Sequence, residues 1–133
     1  MAGAAERPVK IKDLPAPVQK TVQEQSQGAE LKGLSKEVEK GRTYYEAETK
    51  VNGKSRAVLI DSAGAVVEVE EEIALEAVPQ AARAAIERYA GGGKILLVES
   101  VTKNGTVRYE ATIRKGLKKS EVLFSADGAR AKD

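Results

Sequence analysis

The chain has 133 residues, 41% of them hydrophobic and 32% charged, as in a globular protein the size of one domain or of two small units sharing a core. It has no cysteine and no histidine, which excludes disulfides and removes the commonest general base and metal ligand. A net charge of +2 and the lack of any long apolar run predict neither a nucleic-acid partner nor an integral membrane segment.

The first twelve residues predict a flexible N-terminal lead-in or a short edge segment. Their small, apolar start, Met1-Ala-Gly-Ala-Ala, is compatible with the remnant of a removed export signal to which an initiator Met was added. An ordinary disordered terminus explains the same residues equally well, so both interpretations stay open.

Asp13-Leu14-Pro15 predicts the start of a helix, because Asp is a favoured cap and Pro is tolerated in the first turn. Leu14, Val18 and Val22 form one apolar stripe, and Gly28 is expected to end the helix. Four strands are then predicted, over residues 30–39, 42–51, 55–61 and 65–71.

The second of these strands alternates between two faces. One face is expected to point inward and carries Thr43, Tyr45, Ala47, Thr49 and Val51. The other is polar and carries Arg42, Tyr44, Glu46, Glu48 and Lys50. Asn52-Gly53, which follows the strand, is the strongest hairpin signal in the chain, because both residues accept the positive φ angles of a type I′ turn.

When the chain is shifted by 64 residues it matches itself without a gap, so that Tyr45-Glu46-Ala47 falls on Tyr109-Glu110-Ala111. The matching residues are turn glycines and buried-type positions, which indicates a repeated architecture rather than a repeated chemistry. The second half therefore predicts a helix over 78–90 and strands over 94–102, 106–115 and 119–125.

These elements predict an α+β fold made of two tandem repeats, each with one helix and a three- to four-stranded antiparallel meander. The expected domains are a flexible segment over 1–12, a first repeat over 13–72 and a second over 73–133. Because one helix covers only one face of such a sheet, we expect both helices on one face and solvent on the other.

Short motifs that suggest chemistry have structural explanations. Gly53-Lys54-Ser55 lacks the earlier glycine and the following helix of a phosphate-binding loop. Ser100 and Lys103 have the spacing of an acyl-transfer pair, but on a strand they point to opposite faces. Glu68 and Glu70–Glu72 form an acidic run without the Asp/Asn/Gly loop of a calcium site. We therefore expect no enzyme activity, no cofactor and no bound metal.

The segment from Tyr45 to Val67, YEAETKVNGKSRAVLIDSAGAVV, resembles a PepSY-type module: a "Tyr-Glu-x-x" strand, a Gly turn, a "Val-x-Leu-Asp-x-x-Gly"-like strand and a final strand. The helix starts at Leu14 and Val78, each followed by Pro, are similar to the PepSY-like subgroup named for its likeness to beta-lactamase inhibitory protein. The resemblance implies an α+β fold, export to the periplasm or cell surface, and a non-catalytic binding or inhibitory role. This chain lacks the disulfides and aromatic-rich sheet of that inhibitor, so beta-lactamase inhibition itself is not implied.

We therefore expect a periplasmic or secreted binding module whose exposed sheet face contacts a protein or another cell-envelope component. Tyr44, an aromatic among charges, and Arg108, its counterpart in the second half, are typical of contact residues. The full set of expected contact residues is Arg42, Tyr44, Glu46, Glu48, Arg108, Glu110 and Arg114. Two alternatives stay open: a peptidase inhibitor or propeptide-like regulator, and a small-ligand site between helix and sheet beside the Ala-rich second helix.

Overall fold

The computed structural model describes residues 5–132, and the expectation for residues 1–4 lies outside them. Within these residues the chain forms two α-helices, two short 3-10 turns and eight strands. The helices are α1 (Ala16–Gln25) and α2 (Gln80–Ala90). The strands are β1 (Ala5–Pro8), β2 (Glu30–Glu39), β3 (Arg42–Val51), β4 (Lys54–Asp61), β5 (Val66–Glu72), β6 (Lys94–Lys103), β7 (Thr106–Lys115) and β8 (Lys118–Ser125).

Both helices begin later than the sequence predicts. Asp13 lies in a 3-10 turn, and α1 begins at Ala16 with Pro15 at the N-cap. No side chain caps it, although the Gln19 side-chain amide donates a 2.9 Å hydrogen bond to the Leu14 carbonyl. Pro79 stands in the same position before α2. Neither helix is long and apolar enough to span a bilayer, within the residues that the structure describes.

The chain divides into two compact units, the first extending to Val69 and the second beginning at Glu70. In unit 1, α1 packs its apolar stripe on one face of β3 and β4. The core of unit 1 contains Leu14, Val18, Val22, Tyr45, Ala47, Val58 and Ile60. Strand alternation explains this core, because Tyr45 and Ala47 point to the same side of β3.

In unit 2, α2 packs on β6, β7 and β8 in the same manner. Its core contains Val78, Ala82, Ala85, Ile86, Ala90, Val98, Ala111, Ile113, Val122 and Phe124. The small side chains of Ala82 and Ala85 are almost fully buried, so α2 lies close to the strands. The half-buried Tyr89 adds an edge-to-face contact with Phe124, at 6.5 Å between ring centroids.

The hairpins of the two units share one register. Tyr44 pairs with Glu37 and Asp61, and Arg108, 64 residues later, pairs with Val101 and Ser125. Register shifts also occur at matching places, between Leu31 and Gly33 and between Ile95 and Leu97. These shifts are β-bulges, which bend the strand and change the direction of the neighbouring side chains.

The α+β class with antiparallel strands is confirmed, but the prediction of two tandem repeats, each with its own meander of three or four strands, is wrong. The eight strands form a single sheet in chain order from β1 to β8, with β5 hydrogen-bonded to β4 and to β6. The physical reason is that a strand edge carries unpaired N–H and C=O groups, which are more stable when another strand pairs with them. The sequence pattern marks strands and turns, but it does not mark which strands stay at an edge.

Candidate functional site

The outer face of unit 1 is the side of its strands opposite α1. Strand β3 places Tyr44, Glu46 and Glu48 there, because Tyr45 and Ala47 point to the helix. Register then aligns Glu46 with Ser35 of β2 and Leu59 of β4. The outer face thus contains Glu6, Ser35, Glu37, Tyr44, Glu46, Glu48, Leu59 and Asp61.

Part of this face is buried, whereas the sequence predicts a solvated surface. Glu37 is only 3% exposed and Leu59 only 5% exposed. Glu46 and Tyr44 are half-buried, and Glu48 is exposed. A carboxylate this deeply buried is expensive unless it is neutralised or bound, so Glu37 marks a chemically distinctive place.

Three glutamates from three strands meet on the outer face of unit 1. We call Glu6 of β1, Glu37 of β2 and Glu46 of β3 the triglutamate cluster; one carboxylate oxygen from each lies within 4.8 Å of the others. The Ser35 hydroxyl donates a 3.1 Å hydrogen bond to Glu6 Oε1. Glu37 Oε2 is buried and accepts no hydrogen bond from the described residues.

The electrostatics of the cluster oppose three simultaneous negative charges. Burial, followed by the neighbouring charges of Glu37, Glu6 and Glu48, raises the pKa of Glu46 to about 7. Burial also raises the pKa of Glu37, with smaller contributions from Glu6, Glu39 and Glu68. Near neutral pH the cluster therefore favours taking up positive charge.

The outer face of unit 2 carries a related group. Glu110 occupies the position of Glu46, and its strand neighbours are Glu99 and Leu123. Glu70, Glu99 and Glu110 each offer a carboxylate oxygen within 4.8 Å of the others. All three are half-buried, and each already has an interaction partner in the fold.

The seven residues predicted as contacts fall on these two outer faces, and whether they bind anything stays a prediction. In unit 1, the exposed Arg42 pairs with Glu39 in the β2–β3 register. In unit 2, the half-buried Arg108 donates a 3.2 Å hydrogen bond to the Lys132 carbonyl, and Arg114 is exposed. The structure thus separates this set into four residues in unit 1, Arg42, Tyr44, Glu46 and Glu48, and three in unit 2, Arg108, Glu110 and Arg114.

A depression lies beside the β-bulge of each unit. In unit 1 it has a volume of about 410 Å³, and its lining includes Arg7, Lys32, Ser35 and Glu48. In unit 2 it has a volume of about 450 Å³ and is lined by Leu96, Leu97, Thr112, Lys119, Ser120 and Glu121. Both depressions mix charged and apolar groups, with Pro8 and Leu34 beside the charges of the first and Lys119 and Glu121 beside the leucines of the second.

Sequence reasoning missed Glu6 and Glu37. The Lys40-Gly41 turn, with φ angles of 51° and 77°, sets the pairing register of β2 with β3. In that register Glu37 lies opposite Tyr44, and Ser35, two residues before Glu37, lies opposite Glu46. That register was available from the sequence. Glu6 was not, because it reaches the cluster only through the pairing of β1 with β2.

No family model and no curated protein matches the chain. Solved structures do. A protein of Bacteroides eggerthii that is inferred to be periplasmic is 21% identical, with a TM-score of 0.72 over 90% of this chain and 86% of its own. A DUF2874 family protein of Bacteroides uniformis is 21% identical, with a TM-score of 0.69 over 89% of this chain and 86% of its own. A BLIP-like protein of Bacteroides fragilis is 20% identical, with a TM-score of 0.63 over 90% of this chain and 84% of its own.

At this level of identity the likeness shows the fold alone. The sequence predicts a fold like that of beta-lactamase inhibitory protein (BLIP). That part of the prediction is confirmed for the architecture, since one of these structures is BLIP-like. The likeness does not bear on PepSY modules specifically.

Proposed function

We propose that this protein is a non-catalytic binding module of the bacterial cell envelope, which uses the outer faces of its two units to bind a protein. The observation that carries the proposal is the pair of depressions beside the bulges, on the side of the strands opposite each unit's helix core. Mixed charged and apolar groups around a shallow depression are typical of protein contact surfaces.

The periplasm is the proposed location. Support comes from the likeness to the Bacteroides eggerthii protein, which is inferred to be periplasmic. The finer proposal, a PepSY-like module, rests on the Tyr45–Val67 segment and on the two Pro-led helix starts.

A binding role is proposed in preference to an enzymatic one. The raised pKa of Glu46 is the property most typical of a general base in the described residues. The charges that raise its pKa are those of other carboxylates, Glu37, Glu6 and Glu48, and the chain has no histidine or cysteine to serve as partner. Three like-charged carboxylates, with the Ser35 hydroxyl hydrogen-bonded to Glu6 beside them, favour capture of positive charge over catalysis of a bond change.

The two alternatives are less well supported. An inhibitor that inserts a loop into a peptidase cleft needs reach, and Asn52-Gly53 and Asn104-Gly105 are two-residue turns. A ligand between helix and sheet needs space, whereas Ala82 and Ile86 are fully buried against the strands of unit 2. Both observations favour surface recognition.

Site-specific photo-crosslinking in intact cells tests the proposal. A benzophenone amino acid at Glu48 or at Arg108 reports on the outer faces, and matched probes at Lys20 and Glu87 report on exposed helix positions. We expect one defined adduct from the outer-face probes, weakened by Arg42→Ala or Tyr44→Ala. Adducts only from the helix probes, or none from any probe, would contradict the proposal.

A further inference from the structure

We propose that Glu6, Glu37 and Glu46 bind a hard divalent cation, preferentially calcium, on the outer face of unit 1. The sequence alone predicts no metal, since these residues are far apart in the chain and form no recognisable motif. The inference does not rest on the proposed protein partner, because ion binding needs only this cluster.

The first argument is geometric. Calcium accepts carboxylate oxygens at about 2.3–2.6 Å, so two oxygens on opposite sides of one ion are about 4.6–5.2 Å apart. The three glutamates offer oxygens within 4.8 Å of one another, each from a different strand of unit 1. One ion can therefore contact all three without moving the backbone.

The second argument is the state of Glu37. Its side chain is 3% exposed, and its Oε2 atom is buried and without a hydrogen-bond donor among the described residues. Within residues 5–132, no lysine or arginine forms an ion pair with any member of the triglutamate cluster; the ion pair of Lys32 is with Glu30. A buried carboxylate oxygen without a hydrogen-bond partner is unfavourable, and a cation would satisfy it.

The donor set indicates the class of ion. Carboxylate oxygens suit calcium, magnesium and manganese rather than softer metals. Calcium accepts six to eight oxygens in irregular geometry, whereas magnesium demands a near-ideal octahedron. Three carboxylates that approach from one side of a sheet, with water completing the shell, fit calcium better.

The cluster in unit 2 is left outside this inference. Glu70, Glu99 and Glu110 have similar spacing, but each already has an interaction partner and none is as deeply buried as Glu37. It therefore provides an internal comparison for locating the ion.

Isothermal titration of chelator-treated full-length protein with calcium chloride at pH 7.5 tests the proposal, with magnesium chloride as a parallel arm. We expect one calcium site with a dissociation constant of about 10⁻⁴–10⁻³ M, typical of extracellular modules, and weaker magnesium binding. Glu37→Gln and Glu46→Gln should each weaken calcium binding by at least about tenfold. Glu24→Gln, at an exposed carboxylate on α1, which packs on the opposite face of the strands, should change it by less than about twofold.

Amide NMR shifts during the same titration locate the ion without any substitution. Calcium-dependent shifts should centre on residues 6, 35–37 and 44–46. No binding up to about 10 mM calcium would overturn the proposal, as would unchanged binding in both cluster variants or shifts centred on residues 70, 99 and 110. Tighter binding of magnesium than of calcium would overturn the choice of ion.

Discussion

Gly64 packs directly against Pro17, so that a Cβ atom added to Gly64 would lie 2.7 Å from the Pro17 carbonyl oxygen. The glycine has a φ angle of 89° and lies in the turn after β4, while Pro17 is in the first turn of α1. Gly128 and Ala81 repeat the relationship in unit 2, at 2.8 Å. In each unit, a turn glycine sets how closely the helix approaches the strands.

Gly64→Ala should destabilise the protein by about 2–4 kcal/mol, since the new methyl group clashes with backbone and the positive φ disfavours it. Urea unfolding followed by circular dichroism measures this loss. Gly41→Ala is the matched control: its φ is 77°, but no atom lies within 4 Å of the new carbon, so it should lose only about 1 kcal/mol. Equal losses in the two variants would show that the contact with Pro17 is unimportant.

Thr21→Val should cost about 1–2 kcal/mol, because the Thr21 hydroxyl links α1 to the same turn. Its oxygen lies 2.5 Å from the Gly64 carbonyl oxygen and 3.1 Å from that of Pro17. Thr21→Ser keeps the hydroxyl and should retain most of the free energy of unfolding. If the Val and Ser variants unfold at the same urea concentration, the hydrogen bond contributes nothing.

The stability of the metal-free protein should decrease as pH rises from 5 to 8. The pKa of Glu46 is raised from 4.5 to about 7, so the folded state binds this proton more tightly than the unfolded state. The resulting stabilisation is complete below about pH 4.5 and is lost as pH rises through 7. Glu46→Gln removes this titration.

Urea unfolding in chelator at several pH values measures the effect. Relative to the native sequence, Glu46→Gln should gain about 1–2 kcal/mol between pH 5 and pH 8; the value is discounted because the side chain is only half-buried. The charged groups that face Glu46 are Glu6, Glu37 and Glu48, and its β4 neighbour is the uncharged Leu59. The difference between the two proteins therefore reports the titration of Glu46 together with its coupling to those three carboxylates. A constant difference across this range would contradict the raised pKa.

Ile60→Ala should cost about 2–5 kcal/mol, because Ile60 is fully buried in the core of unit 1 and its removal leaves a cavity. Ile60→Val should cost about 0.5–1.5 kcal/mol. The matched control is Val66→Ala, since Val66 is 40% exposed and should lose far less. The melting temperatures from thermal unfolding should fall most for Ile60→Ala. A different order among the three variants would indicate that the core has been wrongly assigned.

Local structure was largely predictable from residue patterns. Asn52-Gly53 and Asn104-Gly105 form the hairpin turns that their residue types favour, with positive φ at both positions. The predicted strands over 42–51 and 106–115 coincide with β3 and β7. These features depend on neighbours in the chain, through backbone sterics and the two-residue alternation of a strand.

The triglutamate cluster was only partly predictable. Glu46 was singled out on the polar side of its strand, but its half-burial was not expected. Glu37 is brought close to Glu46 by the β2–β3 register, which the Lys40-Gly41 turn implies. Glu6 is brought close to them only by the pairing of β1 with β2.

The sequence by itself determined the turns, the strand alternation and the inward stripe of each helix, because each follows from interactions a few residues long. The tertiary structure alone decided that the strands form a single sheet and that Glu6, Glu37 and Glu46 converge, because both depend on which distant backbone edges pair. Burial, which raises the pKa of Glu37 and Glu46, likewise exists only once those strands are side by side.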